Sequence, residues 1–271
     1  MAQSYKRLFL LLFIVVVGAA LYLYSGRYRP IDSLEVPQQL STATSLLDAQ
    51  GTDEFSELVN YLGFSLAFDQ HSHQAKWVAY ELTAEELGLK RAKRKDRFRK
   101  DTITNLLTAR QSDYTRSGYD RGHLAPAADM AWDQKAMDQS FFFSNICPQT
   151  PNLNRGIWKK LEEQGRKWAT QKNNIYIVTG PVIQYPADST GNLPIPKYFY
   201  KAILVYQKGV QQAIGFVMPN AKKVEGGILD YAVSIDSLEI LTDLDLFDKL
   251  PQLIERKVER SFDLGFWFST Q

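Results

Sequence analysis

Two stretches of the chain hold residue types suited to proton and phosphate chemistry. They are Tyr119-Asp120-Arg121-Gly122-His123-Leu124, and Ser144-Asn145 running on to Asn154, Glu162 and Arg166. There are three histidines, His71, His73 and His123. His123 is the one in a polar, turn-like context, and imidazole is the side chain best suited to take a proton near neutral pH. Asp120, Arg121 and Gly122 surround it with an acceptor, a fixed cation and a position of close approach. Asn154 and Glu162 are eight residues apart. On a helix turning about 100° per residue they lie ~80° apart and face one cleft. Arg166 follows Glu162 by four, the spacing of helix neighbours. An amide carbonyl, a carboxylate and water are ligands for a hard cation such as Mg²⁺. A base, a hard-metal site and two arginines meet the needs of phosphodiester hydrolysis.

Each of these residues also has a plainer reading. Asn154 can cap its helix, and Glu162 with Arg166 can form a surface pair worth ~0.3–0.5 kcal/mol. Cys147 and Trp158 read as packing residues, and His71-Ser72-His73 as an inert loop.

The elements that must position these groups are mixed. Residues 64–68, 77–82, 174–180, 198–206, 212–218 and 231–237 read as strands, rich in aromatic and β-branched side chains. Residues 83–87 read as a helical turn with Thr83 and Glu86 as a capping box. Leu153, Ile157, Leu161 and Trp168 share one face of a helix over 153–170. Strands and helices do not alternate in βαβ order, so the class expected is α+β. Residues 30–60, with Pro30 and Pro37, read as a tether with a short helix around 53–62, ahead of a domain over 61–271.

The chain has 271 residues, 45 % hydrophobic and 23 % charged, which excludes wholesale disorder and a simple coiled coil. One cysteine excludes an intrachain disulfide and a Cys-rich metal site. The net charge of +2 is no mark of a nucleic-acid partner, but it is segregated. Residues 1–29 carry four bases and no acid; residues 90–100 hold eight bases and one acid; residues 225–271 hold ten acids against four bases. The basic stretch is either a solvated loop or a phosphate-contacting surface. The acidic stretch reads as a solvated face remote from the site.

Residues 8–24 are apolar without interruption, flanked by Lys6 and Arg7 before and Arg27 and Arg29 after. As a helix they span ~25 Å, slightly short of a bilayer core of ~30 Å. Residues 1–29 are therefore expected to be a membrane anchor, in the bacterial inner membrane with the rest of the chain exported. The alternative is a signal peptide cut near Val17-Gly18-Ala19, followed by secretion.

DRGH at 120–123, together with SNICPQTPNLNRGIWKKLE at 144–162, resembles the DNA/RNA non-specific endonuclease family, which includes secreted bacterial nucleases and the endonuclease G branch. WVAYEL at 77–82, FRKD at 98–101, YIVTGP at 176–181 and VMPNA at 217–221 agree with it, so the likeness runs from about residue 61 to about 265. The resemblance implies a ββα-metal core with a flanking antiparallel sheet. It implies His123 as general base, Asn154 as direct ligand of one Mg²⁺ (Mn²⁺ as substitute) and Glu162 holding that ion through water. Arg121 and Arg166 would engage the phosphate, and Asn145 would support His123 or the substrate. Asp120 and Gly122 would be structural, and DNA and/or RNA the substrate. Some members carry an arginine near the end of the WVAY strand where this chain has Glu81. Two other readings keep the same fold: a nucleic-acid-binding module with weak chemistry, and a phosphodiesterase for small substrates.

Overall fold

The computed structural model describes residues 56–89 and 91–269. The apolar run 8–24 and most of the expected tether lie outside the described residues. Among the described residues no helix is long and apolar enough to cross a membrane.

A seven-stranded antiparallel sheet is the frame. Its strands are β1 (Ser56–Asn60), β2 (Ser65–Asp69), β3 (Gln74–Thr83), β6 (Asn174–Val182), β9 (Tyr198–Gln207), β10 (Val210–Pro219) and β11 (Ala232–Val233), in that spatial order. Two two-stranded sheets accompany it: β4 (Asp120–His123) with β5 (Ile146–Gln149), and β7 (Ser189–Thr190) with β8 (Leu193–Pro194). The helices are α1 (Ala84–Leu89), α2 (Gln111–Tyr114), α3 (Gln134–Ser140), α4 (Lys159–Lys172), α5 (Ile235–Thr242), α6 (Gln252–Arg260) and α7 (Leu264–Phe268). The mixed class is as expected.

β3 and β9 are buried along nearly their whole length. Apolar runs of that kind belong to strands covered on both faces, because every side chain then meets protein. On one face Phe199, Ile203 and Val205 of β9, with Ile214, Phe216 and Met218 of β10, join a core that includes Trp158, Leu161 and Trp168. Trp168 stacks near Phe216, with ring centroids 6.1 Å apart. On the other face Gly215 leaves room for Leu238 of α5; a Cβ there would lie 2.7 Å from its Cδ1. The sheet therefore separates α4 from α5.

Three local expectations are corrected. Residues 56–60 are strand β1, paired with β2 from Ser56 opposite Asp69 to Asn60 opposite Ser65, so they belong to the sheet, not to a tether or a helix. Hydrogen bonds to β2 outweigh the polar sequence there. The strand expected over 231–237 shrinks to Ala232–Val233, because Ser234 accepts from the Ser237 backbone N–H and starts α5. The helix over 153–170 has a wide, kinked first part, Leu153–Trp158, with Gly156 outside helical geometry, before the regular α4. The capping box at Thr83 and Glu86 is present in both directions.

Candidate active site

β4 and β5 form an antiparallel pair with Gly122 opposite Cys147 and His123 opposite Ile146. The chain then turns through Leu153–Trp158 into α4, giving a strand–strand–helix unit. Gly122 is required by close approach: a Cβ there would run into the side chain of Gln149, which is fully buried and has nowhere to go. Trp158 anchors the unit to the sheet, its ring 5.8 Å from that of Phe199.

The unit opens into a cleft of about 650 Å³. His123, Arg121, Asp120, Asn154, Glu162 and Arg166 all line it. Six of the seven residues expected to do or support chemistry at its surface are thus brought together from β4 and the α4 segment; Asn145 is set apart.

His123 sits with Phe141 edge-on at 4.9 Å and Phe98 at 5.3 Å between ring centroids. Burial, then the nearby Arg94, with Arg121 adding to it against an opposing Asp96, push its pKa from the ordinary 6.5 down to about 3. The imidazole is therefore neutral at physiological pH, the form a base requires. Its Nε2 is shielded from solvent and has no hydrogen-bond partner.

Asn154 does not cap a helix. Its Nδ2 donates to Asp120 Oδ2 at 3.0 Å. Asp120 also receives Arg155 Nε at 2.7 Å and Arg155 NH2 at 2.5 Å. Burial would raise the Asp120 pKa, but the hydrogen bonds from Arg155 and Asn154 outweigh it and hold the carboxylate below its usual range. With the amide nitrogen committed, the Asn154 carbonyl oxygen is left as the acceptor for whatever enters the cleft. Asp120 thus ties Asn154 and Arg155 to β4.

Arg166 pairs with Asp129, not with Glu162. NH1 lies 2.7 Å from Asp129 Oδ1, and Tyr80 donates to Asp129 Oδ2 at 3.0 Å. The plain reading of Glu162 and Arg166 as a surface pair does not hold. Arg121 is held by Gln111 at 2.8 Å and stacks over Phe98 at 4.3 Å.

The expectation for Asn145 needs revision. It is fully buried, does not line the cleft and makes no bond to His123. Its Oδ1 accepts from the Ala125 N–H at 2.9 Å; its Nδ2 donates to the carbonyls of Ala125 at 2.9 Å and Ser140 at 2.8 Å. It fixes the chain leaving His123, so it is a positioning residue.

Three participants escape the sequence reading. Asp129 holds Arg166, and nothing in its local sequence marks it. Phe98 packs on both His123 and Arg121. Lys201 of β9 is fully buried, its Nζ unpartnered by hydrogen bonds and 5.0 Å above the Trp158 ring. It acts electrostatically on Glu162 from beneath: burial and Asp129 raise the Glu162 pKa, while Lys201 and Arg166 pull it down. A signal for Lys201 was available, since period-two alternation puts it on the same face as Phe199 and Ile203.

Part of the basic stretch borders the cleft. Arg94, Asp96 and Phe98 line it. The backbone is pinned where Arg99 N–H donates to Phe141 O at 3.1 Å and Phe143 N–H to Arg99 O at 3.0 Å. Glu81 accepts from Asn174 Nδ2 at 2.7 Å and does not line the cleft.

Comparison with known proteins agrees with this geometry. The family model described as DNA/RNA non-specific endonuclease matches residues 45–253. The chain belongs to that family. Human mitochondrial endonuclease G is 33 % identical over 221 residues, covering 76 % of this chain and 73 % of its own. The mitochondrial nuclease of Saccharomyces cerevisiae is 31 % identical over 268 residues, covering 85 % and 82 %. A chain in the crystal structure of the EndoG/EndoGI complex superposes with a TM-score of 0.65 at 28 % identity, over 72 % of this chain and 87 % of that one. The chain is accordingly a nucleic-acid hydrolase. The family model begins before Ser56, in keeping with β1 as part of this nuclease's domain.

Proposed function

We propose that this nuclease is a Mg²⁺-dependent, sequence-non-specific endonuclease acting on phosphodiester bonds of DNA and/or RNA, with His123 as general base and Asn154 as metal ligand. The supporting observation is a neutral, half-buried imidazole in one cleft with the Asn154 carbonyl oxygen and two arginines. The donor set fits a hard cation: Asp120 takes the Asn154 amide nitrogen and leaves its oxygen, and Glu162 adds a carboxylate. Asn154 would hold the ion directly and Glu162 through water. When bound, Mg²⁺ (or Mn²⁺ in its place) supplies charge stabilisation to the phosphate and to the departing 3′-oxygen.

His123 takes a proton from water as the water oxygen bonds to phosphorus. The bond from phosphorus to the 3′-oxygen breaks, and a water supplies the proton that oxygen needs. The products are a 5′-phosphate end and a 3′-hydroxyl end. Arg121 and Arg166 offer donors to the phosphate oxygens as charge grows on them. Contacts of this kind carry no sequence information, hence the absence of base specificity.

His123→Ala should keep its melting temperature and lose plasmid cleavage. Full retained cleavage would sink the base assignment. EDTA should also stop cleavage, and unaffected turnover would reject Asn154 as a ligand. Tight binding of DNA by the unaltered protein without any nicking would identify a binding module instead.

We also propose that residues 8–24 anchor the protein in the membrane with the catalytic domain exported. The uninterrupted apolar run between basic flanks supports this. The full chain should sediment with membranes and a chain starting at residue 30 should not; equal behaviour of the two rejects the anchor.

A further inference from the structure

The acids of residues 225–271 are not spread over a solvated face. Five of them converge where α5, the turn after it and α6 meet. Asp236 and Glu239 are three apart on α5, and Glu255 and Glu259 four apart on α6, so each pair shares a helix face. Asp245 comes from the connection. Oxygens of Asp236, Glu239 and Glu259 lie within 4.8 Å of one another, as do those of Asp245, Glu255 and Glu259.

Glu259 belongs to both triads. It is only 9 % exposed, yet it accepts no hydrogen bond and forms no ion pair. Asp248, at the edge of the group, has a side chain 7 % exposed and leaves Oδ1 unpartnered while its other oxygen takes Lys249. Among the described residues none of the five carboxylates is ion-paired. Burial and then mutual repulsion raise Glu239 to about 7 and Glu259 to about 8. Buried like charges are costly unless a counter-charge joins them.

We infer that α5 and α6 form a second cation site, of Ca²⁺ type, with Glu259 as the ligand common to both triads. The donor set suits that ion. Ca²⁺ takes about six to eight oxygens in flexible geometry, so several carboxylates can share it, whereas Mg²⁺ keeps most of its waters and takes one or two carboxylates. The site is separate from the catalytic cleft, since α5 packs on the sheet face opposite α4. The ion would tie together α5, the turn and α6. Glu239 already accepts from the Leu246 N–H at 2.8 Å and so joins the turn to α5.

The test is calorimetric titration of Ca²⁺ into the Asn154→Ala protein, with thermal melting alongside. The expected result is saturable binding and a rise in Tm with Ca²⁺. Glu259→Gln should abolish both, while its metal-free Tm stays level or rises because repulsion is relieved. Asp245→Asn, an exposed change that leaves packing intact, should weaken binding at least roughly tenfold, as expected for loss of one charged ligand. The same difference between unaltered and Glu259→Gln protein should appear with Asn154 in place. No saturable binding by either parent, or an undiminished Ca²⁺ response in both Glu259→Gln and Asp245→Asn, would overturn the site.

Discussion

A histidine that is to take a proton must first be free of one. In this nuclease burial and the charges of Arg94 and Arg121 see to that. Below pH 6.5 the unfolded chain binds a proton at this histidine and the folded chain does not, down to about pH 3. The contribution of His123 to stability is therefore full above pH 6.5 and is lost progressively as pH falls toward 3. By NMR, the His123 ring resonances should not titrate between pH 8 and pH 5, and Arg94→Gln should move their transition upward; a transition near 6.5 in the unaltered protein would refute the depressed value. Lys201 carries a second prediction at this scale. Lys201→Met removes a cation that holds down the Glu162 pKa, so the acid limb of the cleavage profile should move to higher pH while the protein still folds. An unshifted profile would make Lys201 a packing residue only. The motif residues were legible because DRGH and the Asn154–Glu162 spacing are local patterns. Asp129 was not, and Asn145 was picked out with a different role, because what they hold lies elsewhere in the chain.

Elements were legible where burial and periodicity agree. β2, β3, β6, β9 and β10 combine apolar runs with turn signals, and Gly209, at φ +79°, supplies the tight turn between the last two. They failed where a strand is decided by its partner, as at β1, or where one cap reverses the reading, as at Ser234. The strand pair beneath the site offers a direct test of close approach. Gly122→Ala forces a methyl into the fully buried Gln149 side chain and should cost about 1–3 kcal/mol in urea unfolding. It should also cut cleavage, because His123 is the next residue on the displaced strand. Unchanged stability and turnover would show that β4 and β5 have slack the packing does not reveal.

Across the whole molecule the near-zero charge conceals two opposed surfaces. Residues 90–100, part of which borders the cleft, carry eight bases, and behind the sheet the carboxylates of α5, α6 and their connection cluster. Long polyanions should be drawn to the first and repelled by the second. Replacing exposed Arg91, Lys93, Lys95 and Arg97 by Gln should lower kcat/KM on long DNA and flatten its salt dependence, by about one unit of log–log slope for each phosphate no longer neutralised. Cleavage of a dinucleotide should be nearly unaffected. Equal losses on both substrates would place these residues in the chemistry, not in capture.

The residues lining the cleft all fall between Arg94 and Arg166, a single uninterrupted passage of the chain. The strands that back α4 extend beyond it: β3 is made earlier, but β6, β9 and β10 are all made later. During synthesis every cleft side chain therefore exists before most of the platform that α4 lies on. A ribosome-bound fragment ending at α4 lacks Lys201 beneath Glu162 and lacks Phe199 against Trp158. Such a fragment should therefore fail to cleave nucleic acid, although it holds every side chain of the cleft.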